Sequence, residues 1–259
     1  MSGRVTMPQG PCQILRQSPL GHILTLMHKI AISAEIIAGA IAQRGKLHRY
    51  QELVAARTAL VVIDMQNVFM LPGMPVEVPA AREIVPNVNR LASAMRTAGG
   101  TVVWVRMTLA GQTENWSVFF EGDPRRDSLQ HMTPGSHGYA LHTELDVRSS
   151  DLIIDKTRFS AFLPGASTID AALRARGIDT VVIAGTLSNV CCESSARDAM
   201  MLNYRLVFIS DANAALTDGE HNATLNNMVR AFGDVRATDE LLALLGDGSG
   251  KITRQASAA

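Results

Sequence analysis

Residues 180–202, TVVIAGTLSNVCCESSARDAMML, decide the fold. Thr180–Gly185 is a short apolar run of the kind a strand buried on both faces requires. A helix is expected over about 190–202, with Cys192, Ala196, Ala199 and Met200 on one face and Cys191 about 100° round from it. A buried strand feeding an amphipathic helix is half of a parallel crossover unit, and the same alternation continues on both sides. Upstream, Thr58–Ile63 is an apolar strand closed by Asp64. A helix over 80–98 carries Ile84, Val88, Leu91 and Met95 at helical spacing and stops at Gly99-Gly100. Strands follow at Thr101–Met107 and Leu152–Asp155, then a helix at about 167–176 with Ser167 placed as its N-cap. Downstream lies a strand at Arg205–Ser210. Thr217 and Glu220 form a capping-box signature that opens a helix with Leu225, Met228, Val229 and Phe232 on one face. A short strand (Val235–Thr238) and helix (Glu240–Leu245) end the pattern. The alternation predicts an α/β fold: a doubly wound, mainly parallel sheet of five to six strands with helices on both faces.

Three regions flank or interrupt this domain, which spans 51–247. Residues 1–50 hold Arg4, Arg16, Lys29, Arg44, Lys46 and Arg49 against the single acid Glu35. Their first part is polar and rich in proline, read as a loose tail. Ile23, Met27, Ile30, Ala34, Ile37 and Ile41 then predict a packed helical arm over 21–43, too short to stand alone and so docked on the main domain or on a second subunit. An acid-poor, Arg-bearing amphipathic stretch also suits an organelle transit peptide, although the apolar face is broader than targeting requires. Residues 108–150 are a long polar excursion of the sort that makes a lid or a subunit contact. Residues 248–259 read as a flexible tail.

Composition removes several function classes. Lys plus Arg equals Asp plus Glu at 24 each, so the basic surplus of a nucleic-acid binder is missing. Lys29 and Glu35 break the most apolar stretch, so no membrane span is expected. Three cysteines, Cys12, Cys191 and Cys192, are too few for a disulfide framework and point to a reducing, cytoplasmic setting. No Gly-x-Gly-x-x-Gly follows any strand, which weakens a dinucleotide reading.

Ligands of open α/β sheets bind beyond the carboxyl ends of the strands. Asp64, Lys156 and Cys191 sit at three such ends, far apart in sequence. A helix N-terminus and a nearby cation lower a thiol's pKa, so Cys191 is read as an activated nucleophile with Lys156 as the cation. Asp64 can take the thiol proton and return it to a leaving amine, while backbone N–H groups of the same turn can hold an oxyanion. Each residue also has a plainer reading. A cysteine beside an apolar helix is usually core, Asp64 can simply close a strand, and Lys156 with Arg158 can be a solvated charge cluster. Taken singly the plainer readings win; the convergence of three reactive groups is what weighs against them.

Leu60–Phe69 (LVVIDMQNVF), Asp155–Phe162 (DKTRFSAF) and Val182–Ala199 (VIAGTLSNVCCESSARDA) together resemble the isochorismatase-like cysteine hydrolases over roughly residues 55–245. The resemblance implies Asp64 as acid/base, Lys156 as orienting cation and Cys191 as nucleophile. It selects Cys191 over Cys192, because Ser188-Asn189-Val190 stands where the family has Thr-Asn/Asp-x before its cysteine. It also implies a cis peptide bond at Thr186–Leu187 and an oxyanion hole made by the N–H groups of Leu187 and Cys191. The Asp-x-His…His metal cluster of nicotinamidases has no counterpart, since His131, His137 and His142 lack that spacing; neither a metal nor a cofactor is implied. Asn189 and the Arg197-Asp198 pair are most similar to the ureidoacrylate and biuret amidohydrolase branch.

Three functions stay open at this level. They are hydrolysis of a small amide, ureido or carbamoyl substrate through a covalent cysteine intermediate, hydrolysis of a vinyl ether by Asp64 and Lys156, and a non-catalytic binding role. Asn67, Phe69, Trp116, Arg158 and Phe159 are the expected substrate contacts, from their places beside the motifs or in the excursion; Arg158 suits a substrate carboxylate or a surface acid equally. A homo-oligomer, dimer or tetramer, with the N-terminal helix at an interface is expected, both to cover its apolar face and because members of the resembled family commonly assemble so.

Overall fold

Strands β1 (Thr58–Ile63), β2 (Thr101–Met107), β3 (Leu152–Lys156), β4 (Thr180–Thr186), β5 (Arg205–Ala214) and β6 (Asp234–Arg236) form one sheet in the order β3-β2-β1-β4-β5-β6, with every pairing parallel. The computed structural model describes residues 27–110, 116–121 and 130–247. The strand order reverses between β1 and β4, which makes their carboxyl ends the crevice where such sheets bind ligands.

The helices are α1 (Ala34–Arg44), α2 (Asn67–Met70), α3 (Ala80–Glu83), α4 (Val85–Thr97), α5 (Ser117–Phe120), α6 (Ile169–Arg174), α7 (Glu193–Met201), α8 (Asp218–Asn227) and α9 (Thr238–Asp247). They cover both faces of the sheet, and strand alternation sets which residue meets which layer. From β1, Leu60 and Val62 join Val88, Leu91 and Met95 of α4 and Leu241 of α9. Ala59, Val61 and Ile63 face the other way, toward Ile169 and Leu173 of α6, Ala196 and Ala199 of α7, and Leu225 of α8. All six residues of β1 are buried, as a central parallel strand requires. Among the described residues no helix is long and apolar enough to cross a membrane.

Several boundaries move for local reasons. The helix expected over 80–98 divides at Ile84, because Pro86 lies in the first turn of α4, where its missing N–H costs nothing. Ser167 contributes a bond to the start of α6, its hydroxyl accepting from the Ile169 N–H at 3.1 Å, although the capping position itself belongs to Thr168. The capping box at α8 forms: Thr217 Oγ1 accepts from the Glu220 N–H at 3.2 Å and donates to Glu220 Oε2 at 3.0 Å.

The helical arm is the larger correction. Ile23 lies outside the described residues, Met27–Ser33 is not helical, and helix begins only at Ala34. Met27, Ile30 and Ile41 are 40–43% exposed, so the predicted seam is not the packed face. Ile32, Ile36 and Ala40 pack instead, in the layer that holds Met228 and Val229 of the same chain. The polar excursion also returns to its own domain. Gln66 bridges Leu141, and the N–H groups of Asn67, Val68 and His142 bond to the carbonyls of Ala140, Gly138 and Met65.

Candidate active site

Two backbone features bring the β1 and β4 ends together. Gly185 of β4 stands opposite Ile63 with φ +120°, and a Cβ there would lie 2.1 Å from the Ile63 carbonyl oxygen. Only glycine permits that approach. Asp64 follows with φ 55° and its N–H bonded to the Val105 carbonyl at 2.9 Å, which turns its side chain out of the strand register. Beyond β4 the Thr186–Leu187 peptide bond is cis. Ser188–Cys192 then forms a π turn before α7 starts at Glu193, one turn later than the sequence suggests. Such π segments concentrate at functional sites. The turn closes on the Leu187 carbonyl, which accepts from the N–H groups of Val190 and Cys192, each at 3.1 Å. That carbonyl consumes neither of the N–H groups named for the oxyanion hole, those of Leu187 and Cys191.

Lys156, the last residue of β3, reaches across β2 to the same place. Its Nζ lies 2.8 Å from Asp64 Oδ2, 3.3 Å from Met107 Sδ and 3.1 Å from the Arg158 carbonyl. The Asp64 and Lys156 side chains are wholly buried, and Cys191 is 4% exposed with its thiol close enough to interact with both. Both cysteines border the same core layer, Cys192 wholly buried in it, and only Cys191 interacts with Lys156 and Asp64 by more than charge.

The electrostatics revise one expectation. Burial, and then the Asp64 charge, push the Cys191 thiol well above its ordinary value, and Lys156 offsets this only in part. Burial thus opposes the lowering expected from a helix terminus and a nearby cation. Burial likewise raises the Asp64 carboxyl against the opposing effects of Lys156 and the Cys191 hydrogen bond. Burial lowers the Lys156 ammonium, but its interactions with Asp64 and Cys191 outweigh this and the net direction is upward. An aspartate with raised proton affinity beside a thiol and a fixed cation can exchange a proton with sulfur.

The expected substrate contacts divide into two groups. Trp116 and Phe159 meet edge to face at 4.9 Å, and the Arg158 guanidinium carbon lies 5.0 Å above the Trp116 ring while Nη1 donates to the Thr157 carbonyl. Arg158 and Phe159 lie within three residues of Lys156, and the Arg158 carbonyl is one of the groups that hold its ammonium. Asn67 and Phe69 turn inward. Asn67 donates to the His137 carbonyl and accepts from the His142 ring, and Phe69 is a core residue. Both position the β1 end rather than offer a free surface.

Sequence reasoning passed over several neighbours. Phe119 stacks on Trp116 at 4.4 Å and meets Phe159 at 5.3 Å, and Phe120 completes the aromatic cluster. The only signal was an aromatic pair inside a polar stretch. Gln66 is buried and clamps the end of β2: its amide donates to the Met107 and Tyr139 carbonyls and accepts from the Met107 N–H at 2.7 Å. Asn189, in the thiol's own turn, has a buried Oδ1 without a hydrogen-bond partner among the described residues. Among the same residues no three His, Cys, Asp or Glu side chains are grouped so as to hold a metal ion.

An aspartate, a lysine and a cysteine buried together at the carboxyl edge of a parallel sheet can supply the acid/base, cation and nucleophile that a hydrolase needs. The chain belongs to the isochorismatase family: the Isochorismatase domain model matches residues 58–240. It is 32% identical over 211 residues to the ureidoacrylate amidohydrolase RutB of Agrobacterium fabrum, covering 74% of this chain and 92% of that protein. Among solved structures it resembles a cysteine hydrolase from Pseudomonas syringae pv. phaseolicola, with TM-score 0.72, 29% identity and coverage of 78% and 98% of the two chains. It also resembles an N-carbamoylsarcosine amidase from Thermoplasma acidophilum, with TM-score 0.58, 27% identity and coverage of 71% and 97%.

Proposed function

We propose that the protein is an amidohydrolase that cleaves a small amide, ureido or carbamoyl substrate and releases ammonia through a covalent thioester-type intermediate on Cys191. The observation that carries this reading is the buried Asp64–Lys156 pair at 2.8 Å with the Cys191 thiol close enough to interact with both members. The relatives support the bond type, since the names of two of them specify cleavage of ureido or carbamoyl compounds.

With substrate in place, Asp64 takes the Cys191 proton, and the thiolate attacks the carbonyl carbon to form a C–S bond. The N–H groups of Leu187 and Cys191 receive the oxyanion. Asp64 gives the proton to the leaving nitrogen, the C–N bond breaks and ammonia departs. Asp64 then takes a proton from water, and the hydroxide attacks the thioester. The C–S bond breaks, and Asp64 returns the proton to sulfur. Lys156 holds the carboxylate in line and offsets the negative charge that moves between oxygen and sulfur. Every step belongs to a side chain or amide of this chain, and none is routed through a metal or cofactor.

The free thiols of Cys191 and Cys192 support a cytoplasmic setting. The exposed Met27, Ile30 and Ile41 support a homo-oligomer with the N-terminal segment at an interface. Light scattering after size exclusion on a chain lacking residues 1–45 is expected to show a smaller assembly; an unchanged subunit number removes the arm from any interface. For the activity itself, the test is ammonia release across carbamoyl, ureido and simple amide compounds, with a vinyl ether in parallel. Release from at least one nitrogen compound is expected. Cleavage of the vinyl ether alone would replace this reading.

A further inference from the structure

The turn that carries Cys191 is tied to a second buried polar chain that the chemistry above does not use. Ser188, fully buried, lies three residues before the thiol, and its Oγ is 2.7 Å from Nδ1 of His221, also fully buried, on α8. The other ring nitrogen, Nε2, is 2.9 Å from the Ser210 carbonyl. A carbonyl only accepts, so Nε2 carries the proton and Nδ1 accepts from the Ser188 hydroxyl. The tautomer is thus fixed by geometry. Burial and the neighbouring His28 ring lower the His221 value to about 4, which keeps the ring an acceptor at neutral pH.

His28, in the N-terminal segment, stacks on the His221 ring with centroids 4.5 Å apart and planes 12° apart. Its own nitrogens are assigned the same way. Nε2 accepts from the Ala215 N–H at 2.9 Å, so Nδ1 donates to Asp218 Oδ1 at 2.9 Å. The segment is held there by a match of two repeats. The N–H groups of Lys29, Ala31 and Ser33 bond in turn to the side chains of Asp218, Asn222 and Asn226. Two extended residues advance about 6.6 Å and four helical residues about 6.0 Å, so alternate amides of the segment stay in step with every fourth residue of α8.

We propose that His221 is a positioning residue for Cys191: it holds the Ser188–Cys192 turn through the Ser188 hydroxyl, and His28 clamps its ring, so that the N-terminal segment completes the site. The proposal rests on the reading of Cys191 as the nucleophile. A purely packing role for Ser188 and His221 would be served as well by an apolar pair of similar volume, because a buried hydrogen bond contributes little net stability. Orientation is different, since a displacement of the reacting atom by about 1 Å can cost about a hundredfold in rate.

The test is the rate of iodoacetamide alkylation of Cys191 in the full chain at neutral pH, located by peptide mass, beside melting curves. Ser188→Ala and His221→Phe are each expected to slow it by about tenfold, because the thiol leaves the carboxylate that takes its proton. The double variant is expected to be no slower than either single one, the mark of two residues acting as a unit. Ser188→Thr, which keeps the hydroxyl, is expected to restore most of the rate. His28→Ala is expected to slow alkylation by about threefold. Wild-type or faster labelling in Ser188→Ala, with melting unchanged, overturns the proposal, and so do additive losses in the double variant. If His221→Phe fails to fold, the Ser188→Ala and Ser188→Thr pair decides alone. Where wild-type Cys191 resists labelling, ammonia release by the same variants is the readout and the same order of losses is expected; turnover that survives Cys191→Ala overturns the underlying reading of that thiol, and this proposal with it.

Discussion

Two buried aspartates at opposite edges of the sheet show what separates a structural charge from a reactive one. Asp151 lies just before β3, at the amino edge. It accepts from Arg96 Nε and Nη2 at 2.9 and 2.7 Å, from Trp104 Nε1 at 2.8 Å and from the Arg148 N–H at 2.9 Å. Asp64 follows β1, at the carboxyl edge, with one cation, a thiol and the Met107 N–H for company. Burial acts to raise both carboxyls. At Asp151 the donors of Arg96, Trp104 and Arg148 win and the value falls below the usual carboxylate range; at Asp64 burial wins and the value rises. A carboxylate with a full set of donors is locked in one charge state. One left short of donors can exchange a proton.

Activity breaks the comparison first. Asp64→Asn is expected to lower kcat/KM for ammonia release by about a thousandfold, because the proton has no carrier. Asp151→Asn is expected to stay within about threefold, since it lies at the edge that binds no ligand. A comparable loss in both variants would end the distinction between the two edges.

Stability follows in size, with the order reversed. Asp151→Asn is expected to cost about 2–3 kcal/mol in urea unfolding at neutral pH, because it leaves the Arg96 guanidinium, 18% exposed, without its bidentate partner. The pH dependence carries a definite sign. The folded value of Asp151 lies below its unfolded value of about 3.9, so its contribution is complete above about pH 4 and fades as the pH falls through the folded value. The stability gap between wild type and Asp151→Asn is therefore expected to close on acidification below about pH 4. A gap that stays constant would mean the charge is not what stabilises. The smallest effect sharpens the scale. Thr217→Ala, which removes only the cap of α8, is expected to cost about 1 kcal/mol by thermal melting.

The carboxyl-edge residues were legible because apolar runs ending in a polar residue mark where parallel strands finish, and Asp64, Lys156 and Cys191 all stand at such ends. The strand order was not legible, but the alternation was enough to place all three on one edge. The upward push on the Cys191 thiol was hidden, since it depends on burial from every side and on Asp64, more than a hundred residues away. The Ser188–Cys192 π turn leaves no mark in apolar periodicity. The arm misled for a specific reason: Met27–Ser33 has helix-like spacing, but its amides are satisfied by side chains of α8, a competition that only tertiary structure reveals. The clustering of Trp116 with Phe159 joins an excursion to a strand end 43 residues on, and nothing local announces it.

The most direct test is ammonia release by Cys191→Ala on whichever nitrogen compound the wild type cleaves. The account predicts that turnover falls below about one thousandth of wild type while the fold and melting temperature are retained. Turnover at the wild-type level without the sulfur would contradict it.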